Sequence, residues 1–302
     1  MHRLVACVVV LLFPIITVAQ DMPLSQVLIE GKGWKLVAKD FKAITSLAVD
    51  KAGDIYVADP GAGVVRIRPD GTTHPTLAAK ETVAVGVAPS AVVPGHEALL
   101  TSSNKNGKTQ VEAFTPANDA KGGVSHVVCE NLAMHSFVVA VNGTLYCTAP
   151  GEQAVYAVAG GKKRKVAEGI ARPTGLVLWP DQGTLVVADG AGKHLYAFRV
   201  EKDGSLTCKE GYYTLRLPAG QKESGAAGMC VDSAGRLYVA STVGVQCFDP
   251  TGRLNGVLLN PTTTPPTAVI FGGADLDQLY LACGDRLFAR ETKAQGFVPP
   301  KK

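Results

Sequence analysis

The chain has 302 residues, a formal net charge of +4, 46% hydrophobic and 6% aromatic residues. Its 33 glycines and 18 prolines exceed average usage but stay below the level of disordered chains, and their even spread argues against a helical bundle. The charge is too slight and too scattered for a nucleic-acid footprint, so no nucleic-acid partner is expected.

Residues 1–19 read as a secretory signal peptide. Met1-His2-Arg3 is a short basic start, residues 4–18 are an apolar run broken by Pro14, and Thr17-Val18-Ala19 is a small-x-small cleavage site. The run is short for a membrane span. The expectation is a secreted or periplasmic protein, free of the membrane after cleavage near Ala19. Beyond Cys7 six cysteines remain: Cys129, Cys147, Cys208, Cys230, Cys247 and Cys283. An even number in an exported chain permits disulfides, with the pairing left open. Cys147, Cys230, Cys247 and Cys283 fall in strand-like apolar runs, where cysteine serves as a small hydrophobe. With no Cys-x-x-Cys pair or Cys/His cluster, a structural zinc site is not expected.

From residue 46 onward one phrase recurs: an apolar strand, an Asp/Gly turn, then an apolar-aromatic strand. It runs through Asp50-Lys-Ala-Gly53-Asp-Ile-Tyr56, Asn142-Gly143-Thr-Leu-Tyr146, Asp181-Gln-Gly183-Thr-Leu-Val186, Asp232-Ser-Ala-Gly235-Arg-Leu-Tyr238 and Asp275-Leu-Asp-Gln-Leu-Tyr280. The copies, indexed at Tyr56, Tyr146, Val186, Tyr238 and Tyr280, lie 90, 40, 52 and 42 residues apart. The first interval holds two units, the degenerate one carrying Glu97-Ala-Leu-Leu-Thr-Ser. Six units of about 40 to 50 residues, each with a third strand and a looser fourth, are the signature of a β-propeller. The predicted fold is therefore all-β, a single six-bladed β-propeller of four-stranded blades spanning residues 20–302. The segment beginning Trp34-Lys-Leu-Val-Ala is expected to supply the outer strand of the last blade and close the ring. Residues 292–302 are expected to form a loose tail.

The innermost strands of a propeller line its channel, and their N-terminal ends meet at one mouth. Counting back from the turn glycines places Thr45, His135, Thr174 and Ala227 there. Around these positions the chain resembles the regucalcin/gluconolactonase family. The resemblance rests on Gly169-Ile-Ala-Arg-Pro-Thr-Gly-Leu-Val-Leu-Trp-Pro-Asp-Gln, on Ser224-Gly-Ala-Ala-Gly-Met-Cys-Val-Asp-Ser-Ala-Gly-Arg-Leu-Tyr, and on Phe271-Gly-Gly-Ala-Asp-Leu-Asp. It implies a six-bladed propeller that hydrolyses sugar lactones with one divalent cation at the channel mouth. It also implies where the ligands should lie, and there the chain departs. Thr45 stands for the family's Glu, His135-Ser136 for Asn-Asp, Thr174 for Asn and Ala227 for Asp. Hard cations need several carboxylate or carbonyl oxygens, and this set offers two hydroxyls, an imidazole and a methyl.

The expected function is binding of a sugar, sugar lactone or similar small polar ligand by Thr45, His135, Thr174 and Ala227, with hydrolysis doubtful. No cofactor is then required. A calcium, magnesium, manganese or zinc ion would be present only if the site were rebuilt, with Asp59, Asp189 and Glu223 as the carboxylates that could rescue it and His135 as a catalytic candidate. Asp59 and Asp189 also suit Asx-type turns. The alternatives are an active lactone hydrolase with a rebuilt or absent metal site, and a protein-interaction scaffold. Trp34 and Trp179 read as packing residues, and Lys162-Lys-Arg-Lys165 as a solvated hairpin face.

Overall fold

The computed structural model describes residues 23–78, 81–89, 97–105, 108–116 and 123–297. The expected signal peptide and Cys7 lie outside them. Apart from two single-turn 3-10 segments, the described residues build six four-stranded antiparallel sheets. The inner strands are Ser46–Val49, Thr82–Pro89, Ser136–Val139, Pro173–Leu178, Met229–Val231 and Pro266–Gly272, which number blades 1 to 6. Each inner strand packs beside the next, and the last beside the first. This is the six-bladed β-propeller that the repeat predicts.

The recurring phrase folds for a reason visible in its side chains. In blade 1, Asp50 Oδ1 accepts hydrogen bonds from the Ala52 and Asp54 amides at 2.9 and 3.0 Å, and Tyr56 donates its hydroxyl to Asp50 Oδ2 at 3.1 Å. Gly53 supplies the left-handed conformation, φ +80°, that the tight turn needs. Blade 5 repeats the device atom for atom with Asp232, Gly235 and Tyr238. In blade 3, Asn142 replaces the aspartate and accepts from the Thr144 amide, while the Tyr146 hydroxyl turns to the Gly204 carbonyl. The carboxylate and the tyrosine are thus two halves of one turn lock.

The core lies in the seams between blades. Ala48, Ala58 and Val64 of blade 1 pack with Val85 and Leu99 of blade 2, and Tyr238 of blade 5 packs edge-on against Phe271 of blade 6, ring centroids 5.0 Å apart. Cys129, Cys147, Cys230, Cys247 and Cys283 are buried and free, and Cys208 is exposed and free. Cys230 and Cys247 sit on either side of Tyr238, two strands apart, too distant for a bond. The ring closes as the sequence suggests: Lys35–Ala38 pairs antiparallel with Arg286–Glu291 as the outermost strand of blade 6. Trp34 donates its indole N–H to the Leu259 carbonyl at 2.9 Å, and Trp179 stacks on Tyr213. The basic cluster lies on Lys162–Glu168, the outer edge of blade 3, where exposed lysines discourage pairing with another chain's edge strand.

One expectation is corrected. Residues 292–297 are not loose. Thr292 and Ala294 are 4% and 5% exposed, and Thr292 and Gly296 form bridges to Leu28 and Asp232. Gly296 lies so close to Phe271 that a Cβ there would be 2.2 Å from the Phe271 Cβ. Residues 292–297 are strapped to the ring because their backbone donors and acceptors find partners on blades 5 and 6 and on Val27; the rest of the expected tail lies outside the described residues.

Candidate functional site

The positions counted from the turn glycines are equivalent in space. The amides of Thr45, His135 and Ala227 each donate to the carbonyl near the end of the second strand of their own blade: Ala58 at 3.0 Å, Thr148 at 2.9 Å and Ala240 at 2.9 Å. All three therefore stand at the entry of the channel. In blade 4 the frame is distorted by a bulge between Pro173 and Leu176.

Most hydroxyls at this mouth fasten one blade to the next. Thr174 donates to the Ala226 carbonyl of the blade 5 approach at 2.6 Å. Thr148 of blade 3 donates to the Thr174 carbonyl at 2.5 Å. Thr267 of blade 6 donates to the Ile44 carbonyl at 2.7 Å, and the Val85 amide of blade 2 donates to Ser46 Oγ of blade 1 at 3.3 Å. The side chain that reads in sequence as a ligand contact at position 174 is 8% exposed and already bonded. Thr174→Val keeps the shape and leaves the Ala226 carbonyl without this donor. It should cost about 1–2 kcal/mol in urea denaturation, whereas a change under about 0.3 kcal/mol would show that the staple carries no weight.

Thr45 and His135 do reach the lumen. The His135 ring is open to the channel yet surrounded by protein, and desolvation holds its pKa below the usual 6.5, against a hydrogen bond with the Thr174 backbone that opposes the shift. The positive charge of Arg172 lowers it further. That guanidinium is held by the Gly190 carbonyl at 2.7 Å and by Glu223 at 2.8 Å. At neutral pH His135 is thus an uncharged imidazole able to accept a hydrogen bond.

The three carboxylates expected near the mouth are engaged elsewhere. Asp59 accepts from the Lys42 and Gly61 amides at 3.1 and 2.9 Å. Asp189 accepts from the Arg172 and Ala191 amides at 3.0 and 3.1 Å. Both serve Asx-type turns. Glu223 forms its exposed ion pair with Arg172. Among the described residues, no group of three or more His, Cys, Asp or Glu side chains is placed to hold a metal ion. Ala227 brings only backbone toward its neighbour: a Cβ on Gly175 would stand 2.0 Å from its carbonyl oxygen.

Beneath the mouth runs one continuous cavity of about 240 Å³, from Thr45 and His135 to Phe297. Two of its lining residues escape the sequence reading. Thr267 stands at the blade 6 entry, but the turn after Phe271 differs in length, so counting back from a glycine misses it. Phe297 belongs to the strapped tail, which carries no repeat signal.

Residues 131–284 match the family model described as the SMP-30/gluconolactonase/LRE-like region. Among solved structures, a gluconolactonase from Xanthomonas campestris superposes with a TM-score of 0.71 at 22% identity, over 90% of this chain and 93% of that one. A calcium-binding regucalcin from Agrobacterium tumefaciens gives 0.71 at 15% identity, over 89% and 97%. A luciferin-regenerating enzyme gives 0.70 at 16%, over 90% and 99%. No curated protein matches the sequence significantly.

Proposed function

The chain belongs to the SMP-30/gluconolactonase/LRE-like family, and on that premise we propose that its channel mouth binds a sugar, a sugar lactone or a similar small polar molecule without the family's cation. The observation that carries this reading is the fate of the nearby carboxylates. Asp59 and Asp189 are occupied by backbone amides and Glu223 by Arg172, while the counted positions offer only neutral groups. A hard divalent cation needs several oxygens at once and charge to balance it. The residues present do not fit one, and no Lewis-acid step is derived for this chain. Thr45, His135 and Ser136 are the side chains left to meet a ligand, Thr45 as an acceptor because its hydroxyl donates to the Ala58 carbonyl at 3.3 Å. The N-terminal leader makes the protein an exported one in this reading.

The test is calorimetric titration of gluconolactone, and of gluconate as a stable analogue, with chelator present. Binding with chelator, weakened about tenfold or more in His135→Ala, supports the proposal, since losing one well-placed hydrogen bond is worth about 1.4 kcal/mol. Binding that appears only with an added cation overturns it. Absence of any binding would favour the interaction scaffold.

His135 also predicts a pH dependence. Its folded pKa lies below 6.5, so the unfolded chain takes up the proton first as pH falls. The neutral ring favours the folded state above about pH 6.5, and this contribution fades as pH drops through the folded pKa. His135→Gln should flatten stability against pH below 6.5 and leave it unchanged above. An unaltered acid limb in that variant would contradict the assignment.

A further inference from the structure

We propose that the natural ligand is amphipathic: a polar head, such as a lactone or hydroxylated ring, held at the mouth, with an alkyl tail running down the channel toward Phe297. This rests on the reading of the mouth as a ligand site and adds the chemical class of what enters it.

The wall of the channel changes in chemistry with depth. Side-chain functional groups are gathered at the entry, where Thr45, Ser46, His135, Ser136 and Thr267 line the cavity. Deeper, the lining side chains that remain partly accessible are hydrocarbon: Leu47, Val87, Val138, Val177 and Ile270, drawn from five of the six inner strands. Gln182, near the far end, is spent on the Val141 amide and the Trp179 carbonyl. The remaining polar atoms of the wall are backbone groups on inner strands, which form the sheet edges facing the axis. A sugar has nothing to bond with among those side chains and would depend on the backbone edges alone for partners, and any hydroxyl left unpaired there is unfavourable. A hydrocarbon chain finds contacts on all sides.

The end of the described chain is fastened at the far end of the channel. The Gly296 amide donates to the Leu276 carbonyl at 2.8 Å and the Ser233 amide to the Gln295 carbonyl at 2.8 Å. Leu276 and Ser233 sit in turns that follow the inner strands of blades 6 and 5, so this strap lies at the end opposite His135, where Phe297 lines the lumen. The channel thus has polar side chains at its entry, hydrocarbon side chains along its length and an aromatic ring at its far end, and that ring sets the length of tail it accepts.

The test is a series of γ-lactones carrying straight alkyl tails of none to eight carbons, titrated into the whole protein below their aggregation limits, beside gluconolactone. Affinity should rise about fourfold for each methylene that enters the lumen and level off where the tail meets Phe297. In Phe297→Ala the plateau should move to longer tails, and Val177→Phe, which narrows the lumen, should remove the gain from tail length. Gluconolactone binding with no gain from the tail overturns the amphipathic ligand and leaves the mouth reading intact. No binding of either kind overturns both. A gain unchanged in Val177→Phe and Phe297→Ala places the tail outside the channel and overturns the proposal as well. Circular dichroism and gluconolactone affinity of the two variants separate a blocked lumen from a failure to fold.

Discussion

Asp232→Ala should destabilise the protein by about 4 kcal/mol, far more than the same change at Asp50, its counterpart in blade 1. Asp232 is fully buried and accepts four hydrogen bonds: from the Ala234 and Arg236 amides, from the Arg236 guanidinium at 3.0 Å and from the Tyr238 hydroxyl at 3.0 Å. Arg236 is 8% exposed, and its other branch reaches Gln26 at 2.9 Å. Removing the carboxylate leaves a buried guanidinium without its counter-ion, which is the costly way to break a buried pair. It also strips the Tyr238 hydroxyl, whose pKa burial pushes up, of its acceptor. Asp50 makes the same turn and tyrosine bonds, but the arginine of that blade, Arg66, pairs with Asp54. Asp50→Ala should therefore cost only about 2 kcal/mol, the worth of its hydrogen bonds. Urea denaturation of the two variants compares them directly, and equal losses would refute the role given to the buried charge.

Gly53→Ala should cost about 2–5 kcal/mol. The residue has φ +80°, where an alanine is strained by about 1–2 kcal/mol. Its Cβ would also stand 1.9 Å from the Gly273 carbonyl oxygen, and that oxygen belongs to backbone, which cannot swing aside as a flexible side chain would. Gly53 and Gly273 are joined by a 3.0 Å hydrogen bond from the Gly273 amide to the Gly53 carbonyl. The substitution thus forces apart the seam between the first and last blades, at a further cost of about 1–3 kcal/mol. Gly143→Ala is the matched control. It has φ +87° but open space around the missing Cβ, so it should lose only the backbone share, about 1–2 kcal/mol. Indistinguishable midpoints for the two variants would show that the seam yields without strain.

These two sites also show why the blades could be read from residues alone. An aspartate, a glycine three later and a tyrosine three beyond that form one local unit, so the unit's chemistry is written contiguously. The closing strand was legible for a similar reason: six blades leave one edge unpaired, and the segment before the first repeat is the nearest partner. The mouth was legible only in part. Counting located Thr45, His135 and Ala227, because the turn to the second strand has a constant frame. It could not tell where a hydroxyl points, and that of Thr174 is committed to the Ala226 carbonyl, 52 residues away in sequence. Thr267 was hidden by a turn of different length. Phe297 was hidden more deeply, since its docking depends on Gly296 fitting against Phe271, a contact between a strand and a tail with no repeat to announce it.

The proposed function is that of a family propeller whose mouth works without the family's cation. Its most direct test is gluconolactone turnover by the purified protein in chelator and then in calcium, magnesium, manganese or zinc. Turnover should be no faster than the buffer rate in every condition, with gluconolactone binding retained in chelator. Turnover raised by any one cation would contradict it and would require Asp59, Asp189 or Glu223 to leave their present partners and gather around a metal.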